Sequence, residues 1–136
     1  MSEYAFRTSI PVRHVDRDRL GHVNNAVYAT YLEEARIAYF EEALGLSLEE
    51  RSMLIASLSI DFEGDIRTGP ASVGVEMTAI GDSSFDLAYE IRLGDRIVAT
   101  AETVQVAYDV EAEETIPFPE EWRTAVAELQ DGVPDQ

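Results

Sequence analysis

The hydrophobic and polar positions of the chain follow two different periods, which separate one long helical segment from several strand-like ones. Residues 25–44 are apolar on more than one side of a 3.6-residue helix, which predicts a helix buried on most of its surface. Asn24 or Asn25 is suited to cap the start of this helix, and Gly45 follows its end. Other elements must therefore wrap around it.

Alternation of apolar and polar residues predicts about five strands, at residues 4–15, 53–62, 71–80, 85–93 and 96–110. Pro11 favours an edge position or an irregularity in the first strand, since proline cannot donate to a ladder. Short turns join the later strands, which predicts antiparallel pairing. A short helix over about residues 120–129 and a frayed tail over residues 130–136 complete the chain.

These elements predict an α+β fold in which a curved antiparallel sheet of about five strands wraps around one long central helix. At 136 residues we expect a single domain over 1–136, with its core at about 4–129. One helix covers only part of such a sheet, and the last strands carry apolar residues on both faces. The remaining apolar surface predicts a homodimer or homotetramer.

The net charge of the chain limits the kinds of molecule that it can bind. The formal net charge is −17, and all ten basic residues are arginines. Such a surface repels nucleic acid and anionic membranes, both of which need basic patches. The acids are scattered along the chain, which favours a halophilic protein kept soluble in high salt over an acidic face for one partner.

Several chemistries are excluded or disfavoured by composition. With no cysteine, the chain has no disulfide, thiolate zinc site or cysteine nucleophile. It has no apolar signal-peptide core near its start and no apolar run of about 20 residues, so we expect a cytoplasmic protein. His14 and His22 have no clear third ligand, so no metal site is expected.

The segment before the long helix carries the most chemical information. Asp18 lies seven residues before Asn25, and Gly21 allows a tight turn between them. A carboxylate can activate water or attack an acyl carbon directly. The free N–H groups at a helix start can hold a developing oxyanion. This combination favours hydrolysis of an acyl compound, with Asp16 as the competing carboxylate.

A longer motif runs through this segment and reads Asp16-x-Asp18-x-x-Gly21-His22-Val23-Asn24-Asn25-Ala26-x-Tyr28-x-x-Tyr31-x-Glu33-x-Ala35-Arg36. It resembles the 4-hydroxybenzoyl-CoA thioesterase-like family of acyl-CoA thioesterases, which has the hot-dog fold. Weaker matches extend the resemblance over about residues 4–129. The chain departs after Phe62. There the family often has Pro and then a Gly-Asp turn, whereas this chain has Gly64-Asp65 followed by Gly69-Pro70.

The resemblance implies an acyl-CoA substrate, no cofactor and a set of site residues. Asp18 would be the nucleophile or general base, and the backbone N–H of Asn25 would polarise the thioester carbonyl. His22 would hold the loop, or less favourably act as a base, and Tyr28 would line the acyl pocket. The candidate substrate-binding residues are His22, Tyr28, Ser83, Ser84, Arg67 and Arg92.

Three alternatives stay open. A related branch of the family uses a helix glutamate as its catalytic carboxylate, but with Asp18 present we expect Glu33 to be structural, either paired with Arg36 or capping a neighbouring loop. A second alternative is a non-catalytic acyl-CoA-binding hot-dog protein, or a structural homo-oligomer. A hydroxyacyl-thioester dehydratase is less favoured, because such enzymes typically pair an acid with a histidine and this helix contains none.

Overall fold

The computed structural model describes residues 4–136, which form one sheet and two α-helices. The strands are β1 (Phe6–Ile10), β2 (Arg51–Phe62), β3 (Ala71–Ile80), β4 (Ser84–Leu93), β5 (Arg96–Asp109) and the two-residue β6 (Glu114–Thr115). Helix α1 (Asn25–Ala38) continues as a single π-helical segment, Tyr39–Ala43, and α2 spans Glu120–Leu129. A 3₁₀ turn, His14–Asp16, follows β1.

The sheet is antiparallel throughout, in the order β1-β3-β4-β5-β2, with β6 paired to β5. Strand β1 lies at one edge, as Pro11 indicated. It ends at Ile10, five residues earlier than predicted, because proline has no N–H to continue the ladder and the chain then turns. The predicted α+β architecture, a curved sheet of about five strands around a long helix, is confirmed.

Helix α1 packs against β1 and β3 through one face, and its outer face, including Glu33, Glu34 and Ile37, is exposed. The prediction of a helix buried on most sides therefore holds for one face only, because the sheet covers one side of the helix. Tyr31, Leu32 and Ala35 are fully buried, and so are the aromatic residues Tyr39 and Phe40 of the π-helical segment. Helix α2 adds Trp122, which meets Phe40 edge-to-face at 5.1 Å between ring centroids. The tyrosines of the helix are therefore core residues.

The chain after α2 is held against the sheet, so the prediction of a frayed tail is wrong. The Gln130 side chain donates to the Met77 carbonyl at 2.8 Å and accepts from the Met77 N–H at 3.0 Å. Further along, the Ile80 N–H donates to the Pro134 carbonyl, and the Gln136 N–H donates to the Ile80 carbonyl. The tail thus satisfies backbone groups of β3 that would otherwise be unpaired.

Two loops meet at the N-terminal end of α1, where the candidate site lies. The Val23 N–H, just before the helix, donates to the Ile66 carbonyl at 2.7 Å, and both side chains are buried. This contact ties the loop before α1 to the loop after β2. Within residues 4–136 no helix is long and apolar enough to cross a membrane.

Candidate active site

The loop before α1 is a tight hairpin. Arg17 and Val23 form an isolated antiparallel bridge, and between them the Asp18 N–H donates to the His22 carbonyl at 2.7 Å. Gly21 closes the turn with a φ of 83°, a conformation that favours glycine. The loop therefore holds Asp18 in a defined place beside the helix start.

The Asp18 carboxylate is oriented through one of its two oxygens. Its Oδ1 accepts hydrogen bonds from the Leu20 N–H at 2.9 Å and from the His22 N–H at 3.2 Å. Its Oδ2 accepts no hydrogen bond from the described residues, and the side chain is exposed. Hydrogen bonds from backbone N–H groups to a nearby aspartate side chain are common in turns. Here they also leave one carboxylate oxygen available to a reactant.

The start of α1 presents an amide in the way the motif predicted. Asn24 caps the helix, since its Oδ1 accepts from the Ala26 N–H at 2.9 Å and its carbonyl accepts from the Val27 N–H at 2.9 Å. In the described part of the chain, the Asn25 N–H has no acceptor. It lies at the positive end of the helix dipole and can donate to an oxygen that gains negative charge.

A cavity of about 230 Å³ brings these groups together. Its lining residues are Asp18, His22, Val23, Asn24, Asn25, Tyr28, Gly64 and Asp65. Four predicted site residues therefore share one cavity: Asp18, His22, Asn25 and Tyr28. Sites for drug-sized ligands are usually about 300–1,000 Å³, so this cavity holds a thioester but not a whole acyl-CoA.

Tyr28 forms the apolar wall of the cavity. The side chain is buried, and its ring packs edge-to-face on Phe62 with 4.9 Å between centroids. The hydroxyl lies 3.5 Å from the Gly64 carbonyl. Burial, reinforced by the nearby Asp65 carboxylate, raises the pKa of the Tyr28 hydroxyl, so Tyr28 is a neutral wall residue near pH 7.

Asp65 is a site residue that the sequence reasoning did not single out. Its Oδ2 lies 3.1 Å from Arg67 Nε and 3.5 Å from His22 Nε2. The hydrogen bond from Arg67 lowers the pKa of the Asp65 carboxyl below its usual value, with the charge of Arg67 and His22 acting in the same direction. The departure from the family pattern at Gly64-Asp65 was the one available signal.

Asp16, the competing carboxylate, is placed quite differently from Asp18. It is buried and accepts hydrogen bonds from the Arg13 N–H at 2.9 Å, the Arg13 guanidinium at 3.0 Å and the Tyr31 hydroxyl at 2.8 Å. Burial alone opposes ionisation, but these bonds outweigh it and lower the pKa of Asp16. Its oxygens are occupied by structural partners.

The remaining predicted substrate-binding residues lie outside the cavity. Arg67 is next to it, through the ion pair with Asp65. Arg92 is paired with Glu90 at 2.6 Å. Ser83 and Ser84 lie at the β3–β4 turn, at the other end of the ten-residue strand β4 and so about 30 Å from Leu93. Their contact with substrate stays a prediction.

Glu33 does not form the expected ion pair. Its carboxylate is exposed, and no described acid lies within 4.0 Å of the Arg36 guanidinium. Arg36 is instead buried, and its Nη1 donates to the Tyr89 hydroxyl at 3.1 Å. The prediction of a Glu33–Arg36 pair is wrong, because the helix turns Arg36 toward the sheet while Glu33 faces outward.

Comparison with known proteins agrees with the function that this geometry indicates. Residues 12–126, most of the chain, match the family model of the thioesterase-like superfamily. The chain belongs to this superfamily. The predicted resemblance and the hot-dog fold are thereby confirmed.

Three relatives illustrate the membership. A thioesterase from Thermus thermophilus, crystallised with coenzyme A and zinc, is 30% identical, with a TM-score of 0.81 over 95% of this chain and 96% of that one. The PA5185 protein of Pseudomonas aeruginosa strain PAO1 is 29% identical, with a TM-score of 0.82 over 93% and 92%. The Bacillus subtilis protein YsmA is 30% identical over 90 residues, which are 65% of this chain and 61% of YsmA.

Proposed function

We propose that this protein is an acyl-CoA thioesterase, which converts an acyl-CoA thioester and water into the free acid and coenzyme A. One observation carries the proposal: a carboxylate with an available oxygen, Asp18, shares a cavity with the unpaired N–H of Asn25 at a helix start. Hydrolysis of a thioester needs an activated oxygen nucleophile and a donor for the carbonyl oxygen. Both are supplied by one short segment.

The residues have distinct roles in the proposed reaction. The thioester carbonyl oxygen accepts from the Asn25 N–H, and the helix dipole stabilises the negative charge that develops there. Asp18 Oδ2 then takes a proton from the attacking water, or attacks the carbonyl carbon to give a mixed anhydride that water hydrolyses. In either case the thiolate leaves and is protonated, and the acid is released.

The second carboxylate of the motif is a poor candidate for this role. Asp16 Oδ2 is shared between the Arg13 N–H and the Tyr31 hydroxyl, and Oδ1 receives the Arg13 guanidinium. A base with both oxygens engaged must lose hydrogen bonds before it can accept a proton. We therefore assign Asp16 to holding the loop and Asp18 to the chemistry.

The similarity to the coenzyme A-bound thioesterase of Thermus thermophilus supports an acyl-CoA as substrate. The small cavity implies that much of this substrate lies elsewhere. Ser83 and Ser84 are about one strand length, roughly 30 Å, from the cavity end of the sheet, so within one chain they do not border the thioester. A contact between these serines and coenzyme A would have to come from a second copy.

We propose that the second copy docks along β2. This strand is an edge of the sheet, so one side of its backbone has no neighbouring strand in the described chain. Leu54, Ile55, Leu58 and Phe62 are large apolar residues exposed along it. An exposed apolar edge strand is a favourable site for pairing with a strand of another chain. Phe62 also packs on Tyr28, so the same strand leads to the cavity.

The proposal is tested by free-thiol release from short, medium, long and aromatic acyl-CoAs, in high-potassium buffer. We expect the wild type to hydrolyse at least one class of substrate. Binding of the panel without any thiol release, by folded protein, would favour the non-catalytic acyl-CoA-binding function. Loss of water from a hydroxyacyl-CoA without thiol release would favour the dehydratase.

A further inference from the structure

The loops around the cavity of Asp18 carry a different charge from the rest of the chain. Three of them meet there: residues 11–24 before α1, residues 63–70 after β2, and residues 94–96 between β4 and β5. Together they contain five of the ten arginines and five of the 27 acids. The net charge of −17 therefore belongs entirely to the rest of the chain, and an approaching anion is repelled least at these loops.

Arg17 and Arg96, in two of these loops, have no acidic partner. Within residues 4–136, no carboxylate lies within 4.0 Å of either guanidinium, whereas six other arginines form ion pairs. A positive charge that no nearby acid neutralises attracts an anionic ligand more strongly than a paired one. Arg17 is half-buried and Arg96 is exposed, so a ligand can reach both.

Both arginines are held by the backbone of the same loop, the one after β2. Arg96 Nη2 donates to the Asp65 carbonyl at 3.2 Å, and Arg17 Nε donates to the Arg67 carbonyl. Each contact uses a single N–H, and the remaining N–H groups of both guanidiniums have no acceptor in the described part of the chain. The anchoring restricts these side chains before a ligand arrives, which lowers the entropy cost of binding.

The two guanidiniums lie at the rim of the cavity. Asp65 lines the cavity, whereas Arg17 and Arg96 contact its loop from outside the lining. In an acyl-CoA, the pantetheine arm separates the phosphate groups from the thioester. A thioester beside Asn25 therefore leaves the phosphates outside this small cavity. The planar N–H groups of a guanidinium match the oxygens of a phosphate, so arginine is well suited to bind it there.

We propose that Arg17 and Arg96 bind the phosphate groups of the coenzyme A part of the substrate. The proposal rests on the proposed function for the identity of the ligand. Arg67 and Arg92, the candidates from the sequence, are less suited, because Asp65 and Glu90 already neutralise them at 3.1 Å and 2.6 Å. Neither Arg17 nor Arg96 lies on β2, the strand proposed to meet the second copy.

The test is isothermal titration calorimetry of the full-length assembled protein with S-ethyl-coenzyme A, at one fixed potassium chloride concentration. This thioether carries the phosphates but has no acyl group, so it is neither a substrate nor a product of the proposed hydrolysis. S-ethyl-pantetheine, which lacks the phosphates, should bind at least about tenfold more weakly, a change of about 1.4 kcal/mol. Absence of S-ethyl-coenzyme A binding, or equal affinity for the two thioethers, would overturn the proposal.

Variants assign the phosphate contacts to residues. Arg17→Met and Arg96→Met each keep an apolar stem and remove one charge, and each should weaken S-ethyl-coenzyme A binding at least about tenfold. Arg123→Met is the matched control: it removes the same charge from an ion pair with Asp135 on α2, and should bind like the wild type. Wild-type affinity in Arg17→Met or in Arg96→Met would contradict the assignment.

The binding result is separate from the outcome for thioesterase activity. Thioether binding that depends on Arg17 and Arg96 supports the phosphate contacts even if no acyl-CoA releases thiol. For an acyl-CoA that is hydrolysed, Arg96→Met should raise KM at least about tenfold with kcat unchanged, and should leave kcat/KM for the matching acyl-pantetheine at the wild-type value. A structural defect would impair both substrates alike, so an equal loss on both would contradict a role in binding phosphate.

Discussion

Replacement of Asp16 by asparagine should destabilise the fold without removing a catalytic group. The side chain is almost fully buried and joins three donors, two from Arg13 and one from Tyr31. Asparagine keeps a single acceptor oxygen and turns an amide N–H₂ toward these donors. The loop that carries Asp18 would then lose its anchor to α1.

The size of the effect follows from these bonds. A hydrogen bond to a charged group contributes about 1.5–3 kcal/mol, and the substitution removes one to two of them, so we expect a loss of about 3 kcal/mol in unfolding free energy. With an unfolding entropy of about 2.1 cal/mol/K per residue over 136 residues, this lowers the melting temperature by about 10 °C.

Urea denaturation at fixed potassium chloride measures the loss, and Asp18→Asn is its matched control. The same change at this exposed carboxylate should cost less than about 1 kcal/mol, because its two partners are backbone groups open to water. Equal destabilisation by the two variants would refute the structural role given to Asp16.

The pH dependence gives a second check on Asp16. Because the pKa of Asp16 is lowered in the folded state, its stabilisation is fully present above the unfolded pKa of about 3.9. The contribution is lost as the pH falls through the folded pKa. The difference between wild type and Asp16→Asn should therefore be constant near neutral pH and shrink below about pH 4. A difference that grows on acidification would contradict this sign.

Two further predictions concern charge and assembly. The unfolding free energy measured with urea should rise as potassium chloride increases from about 0.1 M to 1 M. Over this range the screening length falls from about 10 Å to 3 Å, which weakens the self-repulsion of a chain with net charge −17. An unfolding free energy that stays flat or falls with salt would argue against a halophilic protein. By size-exclusion chromatography, Leu58→Asp on β2 should elute as a 15.1 kDa monomer, whereas wild type and the exposed-loop control Leu20→Asp elute as larger assemblies. A monomeric wild type would remove β2 as the interface.

The local sequence pattern was sufficient to predict the limits of elements whose ends are marked by adjacent residues. β3 and α2 have the predicted limits of 71–80 and 120–129, because turn residues or prolines adjoin them. The Gln130 tail was not predictable in this way. Its partner Met77 is 53 residues away, and a polar residue after a helix carries no sign of such a contact.

The same distinction applies to the site. One short motif contains Asp18, His22, Asn25 and Tyr28. A predicted loop followed by a helix start already brings these residues close together, and they share one cavity. Asp65 joins them from the loop after β2, through an ion pair that sequence spacing does not reveal. The burial of Arg36 likewise depends on Tyr89, 53 residues away on the sheet.

The most direct test of the account is the kcat of Asp18→Asn, by free-thiol release on the acyl-CoA that the wild type hydrolyses fastest. Asp95→Asn, the same change at an exposed turn, serves as the control. The account predicts a kcat lowered by about 10²-fold or more in folded Asp18→Asn, with KM little changed and Asp95→Asn at the wild-type rate. Equal kcat values in wild type and Asp18→Asn would contradict the assignment of Asp18 as the catalytic carboxylate.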